Sequence, residues 1–153
     1  MTVSINATQN ILAIWNFATP QEKVDGARWY LDAARDAEMI SIEHDVPFVT
    51  VVGVIAALSP NNKWTRNLTN AADLVAAFMN GDDIESFKVS CYSAMKRKAW
   101  SIMVDMIDDK DAMLVRLNGR KICNFARCIW GDATSVCVDG HARNIAYAER
   151  IGL

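Results

Sequence analysis

The sequence predicts an all-α protein built as one compact domain, and three observations lead to this fold class. Helix start and stop signals recur along the chain, among them Thr19-Pro20-Gln21-Glu22 and Asn80-Gly81. Only three of the 153 residues are proline, and 52% are apolar, which is the composition of an ordered globular protein. A chain of this length buries enough surface to fold without a disulfide or a metal.

The first half of the chain contains three predicted helices. Thr19 at the cap, proline at the first helical position and glutamate three residues after the cap predict a helix over residues 20–38. A shorter helix precedes it at about residues 8–17. Asp45 with Pro47 begins a third helix at residues 46–58, whose apolar residues cover every face, so it should be buried all round. Its valines leave a strand as the alternative.

A polar loop, Ser59-Pro60-Asn61-Asn62, separates these helices from the second half of the chain. Proline disfavours helical geometry in the residue before it, and asparagines favour turns. Beyond the loop, the pattern predicts helices at residues 64–79, 84–107 with a break, 112–117, 120–130 and 139–150. Asn80-Gly81 ends the helix at residues 64–79, and Asn118-Gly119 separates the helices at residues 112–117 and 120–130.

Charge is distributed unevenly along the chain. The net charge of −2 argues against a protein that simply coats nucleic acid. Residues 88–128, however, hold nine basic side chains against four acidic ones, +5 in this segment and −7 elsewhere. A local positive face on an acidic protein can bind a few phosphates, although basic helix faces that are simply exposed to solvent are as common.

The sequence favours a cytoplasmic protein without a membrane segment. The N-terminus lacks a basic start with a long apolar run, and the longest apolar stretch, residues 46–58, is too short to span a bilayer. Cys91, Cys123, Cys128 and Cys137 form no C-x-x-C pair, so we expect buried thiols and no metal site.

Residues 117–144, LNGRKICNFARCIWGDATSVCVDGHARN, place a lysine and an aspartate in apolar surroundings. Lys121 falls in the first turn of its predicted helix, where the helix dipole and Arg120 disfavour a protonated amine, and a neutral amine is the form needed for nucleophilic catalysis. The alternative is a side chain that simply reaches solvent. Asp139 occupies a predicted N-cap, where the helix dipole favours its charged form. Capping the helix is also a sufficient structural reason for an aspartate at this position, without any catalytic role.

The pattern LxGRKxxN is followed by VDxHxRxxxxxER, whose aspartate lies eighteen residues after the lysine, and the two together resemble the helix-hairpin-helix (HhH-GPD) DNA glycosylase superfamily, particularly its endonuclease III branch. Lys121 falls on that family's Schiff-base lysine and Asp139 on its catalytic aspartate. The resemblance implies a helical fold with two lobes around a cleft, one of residues 1–44 with 140–153 and the other of residues 45–139.

A second match lies upstream, in VVGVIAALSPNNKWTRNLTNA. This segment is similar to the family's buried helix ending in Leu-Ser, its polar loop and its Asn-x-x-x-Ala helix. In the family that loop carries a glutamine wedged into the space left by an extracted base. The resemblance implies that Asn61 takes its place, with Asn62 and Trp64 beside it.

The function that the resemblance implies is a DNA N-glycosylase that flips a damaged or modified base of double-stranded DNA into a pocket between Lys121 and Asp139. Whether AP lyase activity accompanies base release is left open. The candidate groups for binding flanking phosphates are the side chains of Lys96, Lys98 and Arg120 and the backbone N–H groups that follow Gly119. Possible supporting residues are Asn124, His141 and Arg143, with a structural hydrogen bond favoured for His141 over proton transfer.

The chain departs from the family's pattern in three ways. The hairpin is two residues shorter than the Gly-x-Gly form, the wedge is asparagine, and the relatives' four cluster-binding cysteines would lie beyond Leu153. We therefore expect a compact form without an iron–sulfur cluster or other cofactor, acting as a monomer in the cytoplasm, on the nucleoid or in an infected host cell.

Two alternatives remain open. The shortened hairpin also fits compact phage-type relatives that modify thymine derivatives within DNA, using the same pocket on a flipped base. The net acidity instead favours a non-catalytic helical domain that binds DNA or a protein partner.

Overall fold

The computed structural model describes residues 6–88 and 92–148, and its regular elements are all helical, as predicted. The α-helices of the described part are α1 (Ala7–Phe17), α2 (Pro20–His44), α3 (Phe48–Leu58), α4 (Trp64–Met79), α5 (Ser93–Asp105), α6 (Lys110–Leu117), α7 (Arg120–Ile129) and α8 (Gly140–Tyr147). A 3-10 turn, Ile84–Ser86, lies between α4 and α5. Among these residues, none of the helices is both long and apolar enough to cross a membrane.

Helix α2 begins with the predicted capping box. A carboxylate oxygen of Glu22 accepts hydrogen bonds from the backbone N–H of Thr19 at 2.7 Å and from its hydroxyl at 2.8 Å. These hydrogen bonds hold the pKa of Glu22 below its usual value. The helix runs past the predicted end at residue 38 to His44, because the chain first turns left-handed at Asp45, whose φ is 53°.

The predicted helix over residues 84–107 is divided. Asp83 caps the 3-10 turn by accepting a hydrogen bond from the backbone N–H of Glu85 at 2.7 Å, and α5 begins at Ser93. Residues 89–91 lie outside the described residues. At the other end of the chain, α8 ends at Tyr147 because Ala148 is left-handed, and the part of the prediction over residues 149–150 also lies outside the described residues.

The chain divides into two compact units. The core unit is Tyr30–Val136, and the terminal unit combines Met1–Trp29 with Cys137–Leu153. The lobes that the resemblance implies, with boundaries at residues 44 and 139, stay a prediction.

Helix α3 is the centre of the core unit. Its residues from Val49 to Leu58 are all buried, which confirms the predicted helix with no exposed face. It packs against α4, α5, α6 and α7. Its one polar side chain, Thr50, is satisfied by donating a hydrogen bond to the carbonyl of Ile107 at 2.8 Å, so burial of this hydroxyl costs little.

Gly53 allows α3 and α6 to approach closely. A Cβ atom at this position would lie 2.2 Å from Sδ of Met113 and 2.4 Å from its Cε. Met113 is fully buried, so its side chain cannot move out to solvent.

In the terminal unit, α1 packs against α8. The amide of Asn10 donates a hydrogen bond to the carbonyl of Ala146 at 2.9 Å and ties the two helices together. A groove of about 690 Å³ is lined by residues of both helices, including Asn10, His141 and Asn144.

Asp132 organises the turn after α7 and provides a test of the fold. Its carboxylate accepts hydrogen bonds from the backbone N–H and hydroxyl of Thr134, at 2.9 and 2.7 Å, and from the hydroxyl of Ser135 at 2.8 Å. These bonds, those of Thr134 foremost, lower the pKa of Asp132 from 3.8 to about 2. Because the ionised form is favoured in the folded protein, its stabilising effect is present above the unfolded pKa and is lost as pH falls through the folded one.

We therefore expect Asp132→Ala to lower the melting temperature at pH 7, with a difference from the parent protein that shrinks between about pH 4 and pH 2. Calorimetric melting at several pH values measures this effect. The control is Asp82→Ala at an exposed site whose carboxylate makes no hydrogen bond within the described residues. A difference between Asp132→Ala and the parent that does not change with pH would contradict the assignment.

Candidate functional site

The hairpin between α6 and α7 presents Lys121. Asn118 ends α6 in the left-handed region, with φ of 44°, and Gly119 is the extended N-cap of α7. Gly119 supplies no capping side chain to the first N–H groups of α7, and such groups at the start of a helix suit an outside acceptor. Arg120 and Lys121 follow in the first turn of the helix, and both are exposed. The hairpin therefore combines two cations with helix N-terminal donors, an arrangement suited to phosphate.

The loop between α3 and α4 contains the predicted wedge. Asn61 is exposed and left-handed, with φ of 54°, and its amide donates a hydrogen bond to the hydroxyl of Tyr92 at 2.7 Å. Asn62 points towards α3, where its amide N–H lies 3.4 Å from the carbonyl of Leu58. Its Oδ1 is buried and has no hydrogen-bond partner among the described residues. Asn61 is thus the member of the pair that faces outwards.

Three half-buried rings from three helices form an aromatic cluster of Tyr30, Trp64 and Phe125. Trp64 and Phe125 meet edge to face, with centroids 6.3 Å apart and planes at 87°. Tyr30 and Phe125 are also 6.3 Å apart, at 62°. Trp64 begins α4 directly after the wedge loop, and Phe125 lies one turn after Lys121 on α7. The cluster therefore brings the loop next to the helix that carries the lysine.

Asp36 joins this cluster from α2. It accepts a hydrogen bond from the side chain of Trp64, whose indole N–H is its donor. Partial burial raises the pKa of the Asp36 carboxyl, the nearby Asp32 carboxylate raises it further, and the hydrogen bond from Trp64 opposes both. Asp36 is therefore a partly buried carboxyl group on which burial and Asp32 outweigh the opposing effect of Trp64.

Sequence analysis missed Asp36 and Tyr30 as site residues. A signal for Asp36 was present, because it falls within the helical stripe of Ala33, Ala37 and Ile40, which are buried. A carboxyl group on the apolar stripe of a helix needs a polar partner. The partner, Trp64, lies on another helix and could not be identified from the stripe itself.

Both predicted phosphate-binding lysines make internal contacts. Lys96 donates a hydrogen bond to the carbonyl of Phe87, and Lys98 donates one to the carbonyl of Leu117. Leu117 is the last residue of α6, so Lys98 supports the hairpin by satisfying a carbonyl at the end of a helix. Each ammonium group has three N–H donors, and phosphate contact by either lysine stays a prediction.

The remaining predicted residues lie on α7 and α8. Asn124 is partly buried on α7. Asp139 caps α8 by accepting a hydrogen bond from the backbone N–H of Ala142 at 2.8 Å, which confirms the predicted cap. His141 is exposed, and the guanidinium of Arg143 lies 5.7 Å from the ring centroid of Tyr147. Asp139, His141 and Arg143 belong to the terminal unit, whereas Lys121 and Asn124 belong to the core unit.

Comparison with known proteins gives one family. Residues 2–153 match a family described as a family of unknown function (DUF7178). The chain belongs to DUF7178. No curated protein and no solved structure matches it.

The thiols of this DUF7178 protein were predicted to be buried. Cys128 is buried, Cys123 and Cys137 are partly buried, and none of these three described cysteines forms a disulfide. Cys91 lies outside the described residues. Within the described part of the chain, no group of three or more His, Cys, Asp or Glu side chains is arranged to hold a metal ion.

Proposed function

We propose that this DUF7178 protein is a DNA N-glycosylase that acts on a damaged or modified base, with Lys121 as the nucleophile and Asp139 as the carboxylate that assists it. The observation that supports this proposal most is the packing of Trp64 on Phe125. It makes a loop with an outward-facing asparagine the neighbour of a helix with an exposed lysine in its first turn. An enzyme that extracts a base needs a group to fill the gap close to the group that attacks the sugar.

The chemistry assigned to Lys121 is displacement at the anomeric carbon. Its amine nitrogen forms a bond to C1′ while the C1′–N bond to the base breaks, and the base leaves with the electron pair and takes up a proton. Asp139 stabilises positive charge on the sugar as the base leaves, or accepts the proton from the attacking amine. The C1′–O4′ bond then breaks, O4′ takes up a proton, and the nitrogen lone pair forms the imine with C1′. Loss of a proton from C2′ of this imine expels the 3′ phosphate, which is the lyase reaction.

Binding of the DNA strand is assigned to the hairpin and its surroundings. Arg120 is exposed at the start of α7, and together with the N–H groups after Gly119, which receive no capping side chain from that residue, it suits a phosphate. Lys96 and Lys98 add positive charge in the basic segment of residues 88–128. Asn61 is assigned to the gap left by the base, and the aromatic cluster supplies ring faces and edges against which a base can pack.

A screen of duplexes that each carry one altered base tests the proposal. We expect release of free base from at least one duplex, detected by mass spectrometry. Where lyase activity accompanies release, borohydride should trap a covalent protein–DNA adduct, because it reduces the imine. Base release without any adduct would remove the lyase step and leave a monofunctional glycosylase.

Two outcomes would overturn the proposal. A changed nucleotide that stays in the strand would show a base-modifying enzyme of the thymine-modifying kind. Binding of duplexes without any chemical change across the whole screen would show a non-catalytic DNA-binding domain.

A further inference from the structure

The terminal unit has no core of its own within its described residues. None of residues 6–29 and 137–148 is buried, and its helices α1 and α8 are only 11 and 8 residues long. Helices of this length are marginally stable in water, and in proteins they depend on the burial of an apolar face. A further surface that covers the apolar side chains of α1 and α8 would therefore stabilise both helices.

The groove between α1 and α8 is where such a surface can bind. It has a volume of about 690 Å³, and its lining includes the apolar side chains of Ala13, Ile14, Ile145 and Ala148. Among the described residues, no lysine, arginine, aspartate or glutamate lines it. The hydrogen bond from Asn10 to the carbonyl of Ala146 holds the two helices together on either side of it. A groove of this composition favours an apolar occupant.

Phe17 lies on the face of α1 that lines the groove. It follows Ala13 by four residues and Ile14 by three, and residues at these spacings share one face of a helix. The Phe17 side chain is 92% exposed, so its ring does not fill the groove of its own chain. The same face of α1 thus presents both an exposed aromatic ring and an apolar groove.

We propose that α1 and α8 form the interface of a symmetric dimer, in which Phe17 of each copy enters the groove of the other. A two-fold axis brings the same surface of both copies together, so a ring and a groove on one face are each matched twice. The protein is then a dimer, and not the monomer expected from its sequence. This inference does not rest on the proposed glycosylase function.

The charge of α1 favours a second copy as the occupant. The helix, ATQNILAIWNF, contains no charged side chain. Two copies of it can therefore approach without repulsion between like charges, which would be costly in an interface that pairs each surface with itself. A helix that binds nucleic acid or an anionic membrane surface usually carries lysine or arginine, and α1 carries neither.

Sedimentation velocity of the full chain over a wide range of concentrations tests the dimer. We expect the parent protein to pass from monomer to dimer as its concentration rises. Phe17→Glu should raise the dissociation constant of the dimer by about 30-fold or more, the effect of removing an aromatic anchor of an interface. Val115→Glu is the matched control, because Val115 is also exposed, at 78%, and also lies in the last turn of its helix, α6. It should dimerise as the parent protein does.

A second variant tests the groove itself. Ala13→Phe places a ring in the groove from the same chain without adding charge, so it should exclude Phe17 of the second copy and weaken the dimer to a similar extent. Circular dichroism verifies that each variant keeps the helix content of the parent protein.

Three outcomes would overturn the inference. The first is a parent protein that stays monomeric at every concentration, and binding of that monomer to neutral phospholipid vesicles through Phe17 would assign the face to a membrane surface. The second is a dimer that either folded variant, Phe17→Glu or Ala13→Phe, leaves unchanged. The third is a dimer that Val115→Glu weakens as much as Phe17→Glu does. None of these measurements depends on whether the protein releases a base from DNA.

Discussion

Replacement of Lys121 by alanine is expected to abolish the borohydride-trapped adduct and to slow base release on the order of 10³-fold or more, a loss of the size seen when a nucleophile is removed from an enzyme with a covalent intermediate. The reason is that only a free amine can form the bond to C1′. Lys121 is exposed in the first turn of α7, so its truncation should leave the melting temperature nearly unchanged. Single-turnover kinetics on a duplex identified by the screen, with gel analysis of the adduct, measure the effect.

Lys110→Ala is the matched control for this experiment. Lys110 is an exposed lysine in the first turn of α6, as Lys121 is in α7. The Lys110→Ala variant should release base and form the adduct at the rate of the parent protein. An adduct that persists in Lys121→Ala would exclude this lysine as the nucleophile.

Asp139→Asn separates the charge of Asp139 from its structural role. Asparagine caps a helix about as well as aspartate, so the hydrogen bond to the N–H of Ala142 should be kept and the stability preserved. Loss of the negative charge should nevertheless slow base release by about 10²- to 10³-fold. If Asp139→Asn and Lys121→Ala both keep full activity while charge reversal at the exposed Arg97 abolishes DNA binding, the protein acts by binding alone.

The largest effect on stability is expected at the contact between α3 and α6. Met113→Ala should lower the free energy of unfolding by about 2–5 kcal/mol, because it leaves a cavity at a fully buried site. Gly53→Ala in the parent protein should cost about 1–3 kcal/mol through overlap with the Met113 side chain, partly offset by the better helix propensity of alanine. In the Met113→Ala background the same methyl group fills part of the cavity, so Gly53→Ala should become stabilising.

Urea unfolding of the four proteins in this double-mutant cycle measures the coupling, which should be about 0.5–3 kcal/mol. Gly26→Ala on α2 is the control for helix propensity, since a Cβ atom there would meet nothing within 4 Å. It should stabilise the protein by about 1 kcal/mol. The same effect of Gly53→Ala in both backgrounds would show that the two helices do not meet as described.

Local signals determined where most helices begin and end. The helix predicted over residues 64–79 is α4, Trp64–Met79, because a polar loop precedes it and Asn80-Gly81 follows it. One exception is α2, which continues to His44 because no helix-breaking residue lies between the predicted end and Asp45. Burial of α3 on every side was also predictable, since its residues are apolar almost without exception.

The candidate site was predictable only in part. The sequence by itself determined the helical class, the cap formed by Asp139 and the position of Lys121 at the start of a helix, because each depends on residues within one turn of the chain. Only the tertiary structure decided that Asp36, Trp64 and Phe125 meet, and that Lys98 supports the end of α6 at Leu117. These partners lie on different helices, and helical periodicity tells which face of a helix is buried but not which other helix covers it.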